Sequence, residues 1–134
     1  MTSKVTYLGG LRTEAQHLAS QKIIITDAPK DNQGKGEAFS PTDLVATALA
    51  SCMITIMGIK ARDLGIDLTG TQAEITKIMG TEPRRISALQ IQLTFNSSFD
   101  SKTQTLLERA ALTCPVAHSL HPDIRQEVLF IWPS

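Results

Sequence analysis

The chain has 134 residues, of which 13 are Lys or Arg and 13 are Asp or Glu. This length suits one compact domain, so we expect a single domain over residues 1–134. The balanced charge, without a basic stripe, gives no sign of a nucleic-acid or membrane partner and leaves a small molecule as the expected ligand.

The first third of the chain predicts β-structure. Segments near residues 4–8, 12–18 and 22–27 are separated by turn residues, as in a β-meander. Because side chains alternate along a strand, Arg12 and Glu14 share one face of the second segment. The segment has no apolar stretch like that of a secretory signal, which predicts a cytoplasmic protein. Residues 29–37 contain two glycines and no periodicity, which is typical of a loop.

The next segment predicts a long buried helix. Ser40 is an N-cap, Pro41 stands where no amide donor is needed, and Asp43 lies near the positive helix end. Residues 44–59 are apolar almost all round, and Gly65 gives an end signal, so the helix is predicted over 41–64. A membrane span is the alternative, but these sixteen residues fall short of the roughly 20 that a span needs.

The length of this helix predicts a homodimer. It would be about 36 Å long at 1.5 Å per residue, whereas a chain of this size has a radius of gyration of about 14 Å. One subunit can hardly cover so long an apolar helix, so a second copy is expected to cover the rest. The stripe of Thr47, Ser51 and Thr55 is where we expect elements to approach closely.

The remaining elements indicate an α+β fold. Residues 68–79 and 86–95 predict two strands around the turn at 80–83. A helix that starts at Asp100 or Ser101 stops before Pro115, and a helical turn near 115–120 and a strand over 127–132 follow.

Two cysteines, Cys52 and Cys114, are the candidate nucleophiles. In a reducing compartment they are free thiols or a pair that cycles with a disulfide, and the alternative is two buried, inert side chains. A thiol with a pKa near 8.5 is about 3% ionised at pH 7, and one with a pKa near 6 is about 90% ionised. A nearby cation, from Arg12, Arg84 or Arg85, would supply this shift. Helix-terminus geometry alone favours Cys114 as the more acidic thiol.

A metal site is a second possibility for this region. Cys114, His118 and His121 lie at spacings of four and three residues, which could bring three ligands together. Pro115 and Pro122 interrupt the helix that would align them, so we expect no metal.

Several segments together resemble the OsmC/Ohr family over nearly the whole chain. They are SPTDL at 40–44, ASCM at 50–53, TCPV at 113–116 and the hairpin YLGGLR at 7–12. The resemblance implies an intertwined α+β homodimer with sites at the interface. It implies that Cys52 is the peroxidatic thiolate, that Cys114 is the resolving thiol, and that Arg12 stabilises the thiolate.

One position departs from the family pattern. In the peroxidase branches a glutamate directly after the helix-start proline orients the arginine, and here that residue is Thr42. Either Glu14 or Asp43 could take its place, and strand geometry favours Glu14.

The resemblance implies a thiol peroxidase that reduces organic hydroperoxides, needs no metal or organic cofactor, and is regenerated by an external dithiol. Apolar side chains at Leu49, Met53, Ile56 and Met57 favour an organic substrate. The alternative is a non-enzymatic member of the same fold that binds a small apolar ligand or senses oxidation.

Overall fold

A computed structural model of the protein describes all of residues 1–134, with six β-strands and three α-helices. The chain forms two compact units, Met1–Val45 and Ala46–Ser134. Helix α1 (Pro41–Asp63) begins in the first unit and continues in the second. The mixed composition confirms the predicted α+β class, while the single domain over 1–134 stays a prediction.

The first unit is the predicted meander. Strands β1 (Ser3–Gly9), β2 (Arg12–His17) and β3 (Ile23–Asp27) form one antiparallel sheet in that order. The buried side chains of this unit are all polar, namely Thr26, Asp27 and Ser40. Eight of its large apolar side chains are exposed: Met1, Val5, Tyr7, Leu8, Leu11, Ile23, Ile24 and Phe39. The unit therefore has no apolar core of its own.

Helix α1 starts where its sequence predicts and ends one residue before the predicted end. The Ser40 hydroxyl accepts the Asp43 backbone N–H at 3.0 Å, and the Asp43 carboxylate accepts the Ser40 N–H at 3.0 Å. This reciprocal pair satisfies donors that the first turn leaves unbonded. At the other end, Gly65 has φ +71° and the Ile66 N–H bonds to the Ala61 carbonyl at 2.9 Å, which closes the helix.

The second unit holds a mixed sheet with the order β4–β5–β6. Strands β4 (Gln72–Gly80) and β5 (Arg85–Thr94) are antiparallel, and β6 (Arg125–Ile131) runs parallel to β5. Helices α2 (Ser101–Leu112) and α3 (Pro115–Ser119) connect β5 to β6. Strand β4 begins four residues after the predicted start at 68, because Asp67 accepts two hydrogen bonds from Thr69 in a turn.

The core of the second unit joins one face of α1 to the sheet. On the helix it includes Leu49, Met53 and Met57, and on β5 it includes Leu89, Ile91 and Leu93, all at most 2% exposed. The opposite helix face is exposed at Ala48, Ser51, Thr55 and Gly58, whereas Thr47 is half-buried. By length and hydropathy α1 resembles a membrane span, with a window of mean hydropathy 1.8, but its apolar face already packs on the sheet.

Candidate active site

Arg12 forms a two-bond ion pair in the first unit. Its Nε donates to Asp27 Oδ1 at 2.7 Å, and its Nη2 donates to Asp27 Oδ2 at 2.8 Å. The two residues lie directly opposite each other in the β2–β3 register. Asp27 is 1% exposed, and hydrogen bonding from Arg12 lowers the pKa of its carboxyl despite burial. The pair also raises the pKa of the arginine, which therefore stays charged.

The expectation that Glu14 or Asp43 holds Arg12 is wrong for this chain. Glu14 shares the face of β2, but it lies two residues along the strand and is registered with Ile25. Asp43 accepts the Ser40 N–H at the start of α1. A residue directly across the ladder is closer than one two positions along the same strand, so Asp27 binds the guanidinium instead.

The loop after β3 adds a second carboxylate to the pair. Glu37 Oε1 accepts a hydrogen bond from Arg12 Nη2 at 3.2 Å, and the Glu37 N–H donates to Asp27 Oδ2 at 3.1 Å. The loop is compact, because a side chain at Gly34 would overlap the Ala28 carbonyl and the Gly36 N–H bonds to that same carbonyl. Sequence reasoning missed both carboxylates. The signal that could have found Asp27 was the length of the β2–β3 turn, which sets the pairing register.

The two cysteines belong to the second unit and are both free thiols. Cys52 lies on α1 next to the core residue Met53 and is half-buried. Cys114 is 0% exposed and is the N-cap of α3, where its Sγ accepts the Ala117 N–H at 3.4 Å. The Cys52 side chain lies close enough to Cys114 to raise the pKa of that thiol. The fold thus brings together two side chains that the sequence separates by the second half of α1, the β4–β5 hairpin and α2.

Burial decides the acidity of Cys114. It raises the pKa of this thiol, the Ala117 N–H lowers it by less, and the nearby Cys52 raises it further. Helix-terminus geometry therefore does not make Cys114 an acidic thiol in this structure. Helix α3 has only five residues, and the favourable field of one helical turn is smaller than the cost of a buried charge.

Three of the four expected apolar pocket walls lie in the core instead, and the fourth, Ile56, is half-buried. Leu49, Met53 and Met57 are 0% exposed and pack among the sheet residues, so they are not free to contact a substrate. Two open cavities in this unit, of about 360 and 410 Å³, are lined by neither cysteine. The first lies on the polar outer face of the sheet, and the second lies beside the end of α1.

The histidines near Cys114 do not form a metal site. His121 Nδ1 accepts the Asp123 N–H at 3.0 Å and is exposed to solvent. No group of three His, Cys, Asp or Glu side chains is arranged to hold a metal ion. Arg12 with its carboxylates and the two thiols lie in different units, so the predicted approach of Arg12 to Cys52 stays a prediction.

Comparison with known proteins gives one family match and several structural matches. The family model described as OsmC-like protein matches residues 34–128, more than two thirds of the chain. A comparison with curated proteins gives no match.

One solved structure is similar in sequence as well as in fold. It is a proposed osmotic stress induced and detoxification response protein from Psychrobacter arcticus 273-4, with 65% identity and a TM-score of 0.95, over 97% of this chain and 95% of that one.

Two other solved structures are similar in fold alone. An OsmC like protein from Mycoplasma pneumoniae has 15% identity and a TM-score of 0.82, over 98% of this chain and 96% of that one. An organic hydroperoxide resistance protein OsmC from Legionella pneumophila has 15% identity and a TM-score of 0.77, over 98% of this chain and 97% of that one.

Proposed function

Because this chain belongs to the OsmC-like protein family, we propose that it is a thiol peroxidase that reduces organic hydroperoxides with Cys52 and Cys114. The family model and the structural matches confirm the expected family and its α+β fold. Organic hydroperoxide resistance proteins occur among the structures that share this fold. We propose that this chain also acts on organic hydroperoxides.

The observation that carries the proposal is the proximity of the two free thiols. The Cys52 side chain lies close enough to Cys114 to raise the pKa of that thiol, and neither cysteine is in a disulfide. Nothing in the packing of two inert core cysteines requires their side chains to be neighbours. Two thiols that must condense into a disulfide need this proximity, because sulfur attacks sulfur directly.

The reaction proceeds in two balanced steps. The Cys52 thiolate attacks the distal oxygen of the hydroperoxide, the O–O bond breaks, and the leaving alkoxide takes a proton to become an alcohol. Cys52 is then a sulfenic acid. The Cys114 sulfur attacks the Cys52 sulfur, the sulfenic hydroxyl leaves as water, and an external dithiol reduces the resulting disulfide.

The environments of the two thiols support this order. Cys52 is half-buried, while Cys114 is fully buried and has a raised pKa. A hydroperoxide therefore reaches Cys52 more easily, and Cys114 stays protonated until Cys52 has reacted. In the proposed mechanism the Arg12 guanidinium stabilises the Cys52 thiolate, as the family resemblance implies.

A homodimer in the cytoplasm is part of the proposal. The first unit buries no apolar side chain and exposes eight large ones. The face of α1 opposite the core, with Ser51, Thr55 and Gly58, is exposed in the single chain. Exposed apolar surface of this kind is typical of an interface, and small residues allow close backbone approach. A second copy of the chain would cover both surfaces.

Peroxide consumption by two cysteine variants tests the function. Cys52→Ser should abolish the reduction of an alkyl hydroperoxide. Cys114→Ser should complete one turnover and leave Cys52 as a sulfenic acid, which dimedone traps and mass spectrometry locates. A dimedone adduct on Cys114 in Cys52→Ser, with none on Cys52 in Cys114→Ser, would reverse the assignment. If the wild type consumes no peroxide, thiol titration before and after peroxide separates a redox sensor from a structural protein.

A further inference from the structure

A cavity of about 410 Å³ lies beside the last turns of α1, and all of its lining residues belong to the second unit. This volume is within the range of small-molecule sites, about 300–1,000 Å³. One side is the flank of α1 from Ile54 to Arg62, and the other is the segment 66–71 that leads to β4. Cys52 and Ile54 are two residues apart on the helix, so they point about 160° away from each other. The cavity is therefore separate from the Cys52 thiol.

Part of the cavity lining is apolar. Ala61 is 2% exposed, and Ile54, Ile66 and Leu68 are half-buried and pack against the core of the unit. No atom lies within 4 Å of a Cβ placed on Gly58, so the helix side of the cavity is open to an incoming group. An apolar group that enters would bury surface against these side chains, which favours binding.

Two opposite charges line the same cavity without pairing with each other. Arg62 is exposed and makes no hydrogen bond or ion pair within the chain. Asp67 Oδ1 accepts the Thr69 N–H at 2.9 Å and the Thr69 hydroxyl at 2.7 Å, whereas Oδ2 accepts neither. These bonds lower the pKa of Asp67, so its carboxylate is ionised at neutral pH. The cavity thus presents a cation and an oriented carboxylate, each with unused hydrogen-bonding capacity.

The two charges select the kind of ligand that fits. A simple anion would meet the like charge of Asp67, and a simple cation would meet the like charge of Arg62. A zwitterion meets each of them with the opposite charge. A free α-amino acid with an apolar side chain carries an ammonium, a carboxylate and an apolar group on one small molecule, which matches all three parts of the lining.

We infer that this cavity binds a small zwitterion with an apolar side chain, of the class of free leucine. The ligand carboxylate contacts Arg62, its ammonium contacts Asp67 Oδ2, and its side chain packs on Ile66 and Leu68. Gly58 also lies on the α1 face where we propose the second copy, so the dimer interface would border the cavity. The inference is independent of the peroxidase function, because it uses neither cysteine.

Amide chemical shifts of the ¹⁵N-labelled protein, titrated with L-leucine, test this inference on the full chain in its solution state. We expect saturable shifts at Gly58 and in the segment 66–71, with a Kd in the millimolar range, because charged contacts at an exposed site are weak. 4-Methylpentanoate lacks the ammonium and 3-methylbutylamine lacks the carboxylate, so each should bind about fivefold more weakly. L-Alanine should bind about tenfold more weakly, because it buries less apolar surface.

Two variants remove one charge each from the cavity. Arg62→Gln should fold, because Arg62 has no partner in the chain to lose. Asp67→Asn should also fold, because the asparagine oxygen still accepts the bonds from Thr69 in the turn. Each should weaken leucine binding about fivefold. Arg109→Gln on α2 and Asp63→Asn on α1 make the same charge changes at exposed positions outside the cavity, and should leave leucine binding unchanged.

The opposite results are equally definite. The inference is overturned if leucine gives no saturable shift up to its solubility limit, if the saturable shifts lie only outside the cavity, or if both cavity variants bind leucine like the wild type. If 4-methylpentanoate binds as tightly as leucine, the cavity takes an anion and the zwitterion is wrong. Leucine binding is measured without peroxide, so this inference and the proposed peroxidase function can fail separately.

Discussion

Serine and alanine at position 114 should destabilise the protein by different amounts, because Cys114 both fills the core and caps α3. Its side chain is 0% exposed, and its Sγ accepts the Ala117 N–H at 3.4 Å. Alanine loses a buried group comparable to a methylene, about 0.8 kcal/mol, a weak cap worth about 0.5 kcal/mol, and adds a small cavity. Together these amount to about 2 kcal/mol.

Serine keeps the acceptor and nearly the size of the thiol. Burial of a hydroxyl costs about 1–3 kcal/mol, but a serine N-cap is a better acceptor than sulfur and offsets about 1 kcal/mol of this. We therefore expect Cys114→Ser to cost about 1 kcal/mol, half the cost of Cys114→Ala. In a chain of this length the difference corresponds to about 4 °C in Tm.

Urea unfolding under reducing conditions, followed by circular dichroism, measures both free energies of unfolding. All variants must be compared at one protein concentration, because a dimer's stability depends on it. If Cys114→Ser is less stable than Cys114→Ala, burial of the hydroxyl outweighs the cap and the reasoning is wrong. The expected result makes serine the suitable variant for trapping a sulfenic acid on Cys52.

Four further predictions follow from the same contacts. Sedimentation at micromolar concentration should give a homodimer, and a well-behaved monomer would contradict this. Iodoacetamide at pH 7 should modify Cys52 well before Cys114, which burial keeps protonated; equal rates by peptide mass spectrometry would refute it. Arg12→Ala should move Cys52 alkylation to higher pH, and an unchanged profile would give the arginine another role. The pKa of Asp27 is lowered from 3.8, so its contribution to stability is complete above about pH 4 and is lost as the pH falls toward the lowered value. Asp27→Asn should therefore lose less stability than the wild type between pH 5 and pH 3 in urea titrations.

The elements of the fold were predictable because their signals are local. The alternation on β2 and β5 and the cap residues of α1 lie within a few positions of one another. Their interpretation needs no knowledge of distant contacts, since the backbone hydrogen bonds of a helix or a turn join near neighbours. The signals of helix α1 placed its start at the observed residue and its end within one residue.

The partners of the site residues were less predictable, because they come from distant parts of the chain. Arg12 and Glu14 share a strand face, and that local fact favoured the wrong carboxylate. The β2–β3 register places Asp27 opposite Arg12, and a loop residue, Glu37, completes the pair. The number of residues between two positions in the sequence does not give the distance between their side chains in the folded protein.

The sequence by itself determined the α+β class, the long apolar helix and the two cysteine motifs, all of which depend on neighbouring residues. Only the tertiary structure decided which carboxylate holds Arg12 and in which direction the pKa of Cys114 is shifted. A helix start favours a thiolate from local geometry alone, but burial among α1, α2 and the sheet raises the pKa of Cys114. Desolvation is a sum over all surrounding elements, so it is known only once they are packed together.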